Sequence, residues 1–213
     1  MCVQRKPWHI TRNTTVYGWM YMQMMLIIRG LILRLSLIHI YSVKLNSTSK
    51  AMKEGIALIP EERGTQGIVL KQSIRENIVL ACLDKICRGL FLSKDKEAEI
   101  VNHGMKALSI KAESPETLAG TLSGGNQQKV VLAKELATEP EIILMYDITR
   151  GVDVGTKKEM FNMIKQYAKE GKAILFYSTD SEELMNVCNS VIIMNNGMIT
   201  GRLDDELITR RCV

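Results

Sequence analysis

"TLSGGNQQKVVLAKELATEP", residues 121–140, decides how the rest of this 213-residue chain is read. Ser123, Gly124 and Gly125 carry almost no side chain, so a bulky anion can approach the backbone closely there. From Asn126 onward the residues are good helix formers, with apolar Val130, Ala133 and Ala137 at helical spacing. Ser123 is a suitable cap, and a glycine pair opening a helix leaves unpaired N–H groups at the positive end of the helix dipole, where phosphate is favoured. The three residues "SGG" by themselves read as the start of an ordinary capped amphipathic helix. The full string says more.

Composition narrows the class before any motif is named. The length suits one domain with a real core. The five cysteines, Cys2, Cys82, Cys87, Cys188 and Cys212, form no C-x-x-C pair and signal neither a disulfide framework nor a zinc site, as in a reducing cytoplasm. The net charge of +5 comes from one end. Arg5, Lys6, Arg12, Arg29, Arg34, Lys44, Lys50 and Lys53 all precede the first acidic residue, Glu54, and the rest of the chain is mildly acidic. No clustered basic face is present to bind nucleic acid.

The opening residues differ in kind from the rest. "WMYMQMMLIIRGLILRLSLIHIY", residues 19–41, is nearly all apolar, but a membrane span needs about 20 apolar residues and this one would bury Arg29 and Arg34. It has no small-residue cleavage site after its basic start. A buried hairpin and a membrane anchor are the readings this run leaves open. A third concerns Leu35–Ile40, "LSLIHI", which one frame of a common transposase sequencing-adapter end encodes; on that reading residues 1–34 are a chimeric addition without bearing on function.

From about Val43 the pattern is that of an α/β enzyme. "KAMKEGIALIPEERG" predicts a helix running into a short strand stopped by Pro60. "SIRENIVLACL" predicts a helix capped by Ser73 with Glu76 three residues later. "KEAEIVNHGMKALSI" predicts another, with His103 facing solvent. "EIILMY", "AILFYS" and "SVIIMNN" are continuous apolar runs suited to buried parallel strands. Helical "KKEMFNMIKQYAKEGK" and "DSEELMNVC" separate them, which predicts a parallel sheet flanked by helices.

The string "LSGGNQQKVVLAKEL" resembles the signature motif of ATP-binding cassette (ABC) ATPases, and its "GGNQQK" variant is similar to the importers of simple sugars such as ribose, galactose or xylose. The resemblance runs from about Val43 to Arg202. It implies an α/β fold, a partial P-loop NTPase cassette, with a helical subdomain near 70–137. Residues 1–42 are unmatched, 43–205 form the partial ATP-binding domain and 206–213 a tail. It also implies ATP and Mg²⁺ as ligands. Ser123, Gly124, Gly125, Asn126 and Gln127 would cap a nucleotide held by a second cassette, since cassettes of this family pair head to tail. Asp153, in "GVDVG", matches the loop that contacts the opposite cassette.

"GIALIPEERGTQGIVLKQSIRENI" is similar to the stretch after the first strands of the second cassette of sugar importers, where Glu61 takes the place of a glutamine that touches metal and attacking water. In "IILMYDITRGVDVG" the family pattern is a strand followed by Asp-Glu-Pro-Thr-Arg-Gly. Thr149, Arg150 and Gly151 set the register, so Tyr146 stands at the metal-holding Asp, Asp147 at the Glu that polarises water, and Ile148 at the Pro. Tyr is neutral at pH 7 and cannot hold a hard cation as a carboxylate does. Asp147 is one methylene short. Thr179 stands where most of the family has a histidine against the γ-phosphate.

No G-x-x-x-x-G-K-[ST] loop lies upstream, where Gly18 and Gly30 are the only glycines before Val43. Two functions follow from the resemblance. One is the second cassette of an ATP-binding subunit that energises sugar import at the cytoplasmic face of the membrane, beside permease subunits and indirectly a sugar-binding protein outside. The other is a non-hydrolytic cassette that completes its partner's site, or an inactive fragment.

Overall fold

The structure is a computed structural model that describes residue 45 and residues 47–88, 91–195 and 198–204. The chain divides into two compact units, Met1–Val43 with Met194–Ile199, and Lys44–Ile193 with Thr200–Val213. Of the first, only the strand ends at residues 194–195 and 198–199 are described, and the readings for residues 1–42 and 206–213 lie outside the described residues. Everything below concerns the second unit.

In chain order its elements begin with α1 (Thr48–Lys53), β1 (Ile56–Ile59) and a π-helical turn at Arg63–Gly67. Then come α2 (Ile74–Val79), α3 (Leu83–Ile86), the short strands β2 (Cys87–Arg88) and β3 (Phe91–Leu92), and α4 (Lys94–Ala107). A 3-10 turn at Ala119–Thr121 leads into α5 (Gly124–Leu136), followed by β4 (Ile142–Tyr146), α6 (Val154–Lys169), β5 (Ala173–Tyr177) and α7 (Ser181–Val187). Strands β6 (Ser190–Asn195) and β7 (Met198–Asp204) follow, the last residues of β6 and the first of β7 belonging to the other unit.

The apolar runs make a three-stranded parallel sheet in the order β1-β4-β5. Its register sets Ile59 beside Met145, and Met145 beside Phe176. The loops carrying Glu61, Asp147 and Thr179 therefore leave from the same carboxyl edge, the edge at which α/β sheets bind ligands. Ile59, Ile143 and Met145 are buried because helices cover the sheet, and a strand covered on both faces is apolar throughout.

Local chemistry explains the helix starts. Ser73 and Glu76 form the expected reciprocal cap on α2, with Glu76 accepting from the Ser73 N–H at 2.8 Å and Ser73 accepting from the Glu76 N–H at 3.1 Å. This helix is shorter than its sequence suggested: it stops at Val79, and the chain restarts as α3. His103 is exposed, as read. Ile74 and Ile78 of α2, Val101 of α4 and Val130 to Leu132 of α5 share one apolar cluster with Ile59, Ile143 and Met145.

One strand is a correction. "SVIIMNN" was expected in the parallel sheet, but β6 pairs with β7 in a separate two-stranded sheet and leaves Ile193 exposed. The reason is that a short apolar run does not by itself say which partner it takes. Among the described residues no helix is long and apolar enough to cross a membrane.

Gln128, on the buried face of α5, is 0% exposed, and neither its amide nitrogen nor its oxygen has a hydrogen-bond partner among the described residues. An orphaned buried amide costs free energy that an apolar group of like shape does not. Gln128→Met is expected to stabilise the chain by about 1–2 kcal/mol. A urea midpoint that falls instead would overturn this expectation.

Candidate functional site

Two groups of residues meet at the carboxyl edge of the sheet. The first surrounds the start of α5. Ser123 caps the helix, its hydroxyl accepting from the Asn126 N–H at 3.4 Å and from the Asn126 side-chain amide at 3.1 Å. Asn126 Oδ1 in turn accepts from the Lys111 N–H at 2.9 Å, and Gln127 Nε2 donates to the Leu122 carbonyl at 3.1 Å. These two side chains thus hold their own loops. What the helix start offers to a ligand is backbone: the N–H groups of Gly124 and Gly125 have no acceptor within the helix.

The two glycines differ in what approaches them, a flexible side-chain tip at Gly124 and a packed helix start at Gly125. A Cβ on Gly124 would lie 2.7 Å from a guanidinium nitrogen of Arg63. One on Gly125 would lie 3.0 Å from Thr156 Oγ1 and 3.3 Å from Asp153 Oδ2. Asp153 caps α6, accepting from the Thr156 N–H at 3.0 Å and its hydroxyl at 2.8 Å. These bonds, the backbone one first, hold its carboxyl below the usual carboxylate range. Ser123–Gln127 and Asp153 therefore form one surface across two helix starts.

The second group sits where the strands end. Asp147 is buried and left-handed, with φ 46°, a conformation that Asp tolerates better than most residues. Its N–H donates to the Tyr177 carbonyl at 2.9 Å, and its carboxylate accepts from Thr179 Oγ1 at 3.5 Å. The Tyr146 ring stacks on Tyr177, with centroids 4.7 Å apart and planes within 8°. Burial, then the nearness of Tyr177, Glu61 and Asp147, pushes the Tyr146 phenol pKa up, so it is neutral at pH 7. Glu61 is spent on a salt bridge to the Arg150 guanidinium. Arg63 links the two groups, since it also donates to the Arg150 carbonyl at 3.4 Å.

This arrangement does not fit Mg²⁺. A hard divalent cation takes oxygen ligands, usually with carboxylates among them. Here a stacked tyrosine holds the strand-end position, Glu61 already has a cation, and Asp147 faces Thr179. Among the described residues no three His, Cys, Asp or Glu side chains are grouped to hold a metal.

Sequence reading missed Glu183. It is 5% exposed, yet its carboxylate accepts from Thr149 Oγ1 at 2.5 Å, Lys157 Nζ at 2.6 Å and Ser178 Oγ at 2.7 Å. Burial is the largest single influence and pushes its pKa up, but the bonds from Lys157, Thr149 and Ser178 together overcome it and leave the carboxyl below the usual range. The signal available was only "DSEEL", an acidic helix start like many others.

A family profile described as "ABC transporter" matches residues 25–149. The chain belongs to the ABC transporter family. That match starts at residue 25, ahead of Val43, where the motif resemblance was read to begin. The chain is 42% identical over 173 residues to a ribose import ATP-binding protein of Mesorhizobium japonicum, covering 80% of this chain and 34% of that protein. A ribose import ATP-binding protein of Rhizobium etli is 45% identical over 164 residues, covering 76% and 32%. The chain thus spans about a third of the length of the curated relatives it matches. Among solved structures, a dimeric ATP-binding cassette in a post-hydrolysis state bound to ADP and Pi superposes with a TM-score of 0.64 at 20% identity, covering 79% of this chain and 70% of that one. The cbiO1 protein of Clostridium perfringens, part of the cbiONQ complex, gives 0.64 at 20% identity, with 78% and 64% covered. The α/β cassette fold with a parallel sheet holds as read.

Proposed function

We propose that this ABC-family chain serves ATP-dependent import of a simple sugar as the second cassette of an ATP-binding subunit, and that it does so by completing the ATP site of another cassette. The ribose import proteins it resembles support the substrate class, with ribose the nearest guide. The observation that carries the mode of action is the packing of Gly125 against Asp153 and Thr156, which sets the helix N–H groups of Ser123–Gln127 and the Asp153 loop side by side.

In this reading ATP is bound by its partner, and the start of α5 meets the γ-phosphate through backbone N–H groups and the helix dipole. The chain's own sheet end, with Tyr146 stacked and Glu61 paired, supplies no hydrolytic centre. Permease subunits would hold the pair at the cytoplasmic face of the membrane, with a sugar-binding protein outside delivering the substrate.

The test is association. The purified chain is mixed with a ribose-importer cassette that has an intact phosphate loop, and light scattering follows complex formation with and without Mg-ATP. ATP-dependent pairing is expected. Equal scattering with and without nucleotide would end the proposal.

A further inference from the structure

We propose that Glu183 is a positioning residue, which locks α6 to the ends of β4 and β5 and so fixes Asp153 against the start of α5. The carboxylate joins four elements. It stands on α7, takes Lys157 from the first turns of α6, Thr149 from the loop after β4, and Ser178 from the end of β5. Each partner adjoins a residue of the candidate site. Lys157 lies one helical turn past Asp153, and its N–H bonds to the Asp153 carbonyl at 2.9 Å. Thr149 is two residues past Asp147, and Ser178 immediately precedes Thr179.

A charge is an expensive way to fill this space. Burying a carboxylate costs free energy that its partners must offset, and apolar residues of similar volume often pack at least as stably. What an apolar group cannot supply is direction. Both oxygens of Glu183 are used, Oε1 by Lys157 and Oε2 by the two hydroxyls, so the loop, the strand end and α6 are fixed at bonded distances of 2.5 to 2.7 Å. Through Asp153 and Thr156 the same linkage reaches Gly125. The consequence for nucleotide-dependent pairing rests on the function proposed above; the mechanical linkage does not.

The test compares Glu183→Leu, Glu183→Gln and the double variant Glu183→Gln with Lys157→Gln. Leu fills the volume without any of the bonds. Gln keeps the shape and an acceptor for the hydroxyls but cannot accept from Lys157, and the double variant restores a neutral side-chain pair. Hydrogen–deuterium exchange is read on peptides covering residues 123–128 and 149–157, with circular dichroism confirming the fold. In Glu183→Gln, which is isosteric and keeps the test open if the Leu variant does not fold, exchange in both peptides should rise about tenfold. The double variant should return most of the way, a rescue that simple packing would not produce. ATP-dependent pairing should weaken and recover in step. Unchanged exchange in residues 149–157 of Glu183→Gln would overturn the linkage, as would faster exchange confined to α7. If the wild-type chain does not pair at all, the proposed function fails, and the exchange data still decide the role of Glu183.

Discussion

Gly124→Asp is expected to leave the chain folded and to weaken ATP-dependent pairing on the order of 100-fold, because juxtaposed like charges cost several kcal/mol. The structure separates these two effects. A Cβ at Gly124 meets only the tip of Arg63, a flexible side chain that can shift, and the new carboxylate would find that guanidinium beside it. It would also stand at the positive end of the α5 dipole, where an acidic side chain is favoured. The substitution therefore suits the isolated chain and harms only the approach of a second anion. Gly125→Asp is the opposite case. Its Cβ would press on Thr156 at 3.0 to 3.1 Å with the Asp153 carboxylate at 3.3 Å, so overpacking and like-charge repulsion fall on a buried position and the fold suffers first. Light scattering with Mg-ATP and thermal unfolding of both variants check this. Normal pairing by Gly124→Asp would mean that α5 is scaffold and its N–H groups meet no phosphate.

The features legible in the sequence are those with local causes. Ser123 and Ser73 cap helices because a short hydroxyl followed by free N–H groups does so in most settings, and the continuous apolar runs at residues 142–146 and 173–177 pair in parallel because helical segments separate them. The misplaced run at residues 190–195 had the same apolar character, and that character alone does not say whether a strand joins the parallel sheet or a separate one. Tyr146 was visible as a substitution, but what it does instead, stacking on Tyr177, depends on a parallel register between strands 31 residues apart. Glu61 could be placed near the site, yet its salt bridge spans 89 residues of sequence. Glu183 was out of reach altogether, because its role lies in three partners drawn from separate elements, two of them 26 and 34 residues away.

The second large effect concerns hydrolysis. Purified alone, the chain should release no phosphate from Mg-ATP above background, and Asp147→Asn should leave that rate unchanged. The reasons are independent and act together. No G-x-x-x-x-G-K-[ST] string occurs among the 213 residues, so no P-loop of that pattern cradles a triphosphate. Asp147, one methylene shorter than the family's glutamate, sits left-handed and buried against Thr179, and a misplaced catalytic group costs on the order of 100-fold by itself. Tyr146 cannot be made into a metal ligand by a small shift, because its ring is held flat on Tyr177 and its phenol, protonated at pH 7 even at its ordinary pKa, is pushed further up by partial burial. Tyr146→Asp should accordingly fail to restore turnover. It would break the stack and set a third carboxylate beside Asp147 and Glu61, where repulsion favours protonation over a free anion. Phosphate release measured on the wild type, Asp147→Asn and Tyr146→Asp, with ATP affinity measured by calorimetry, decides the matter. Turnover in the wild type that disappears in Asp147→Asn would show that this sheet end hydrolyses ATP by itself, and the division of labour between two cassettes would have to be abandoned.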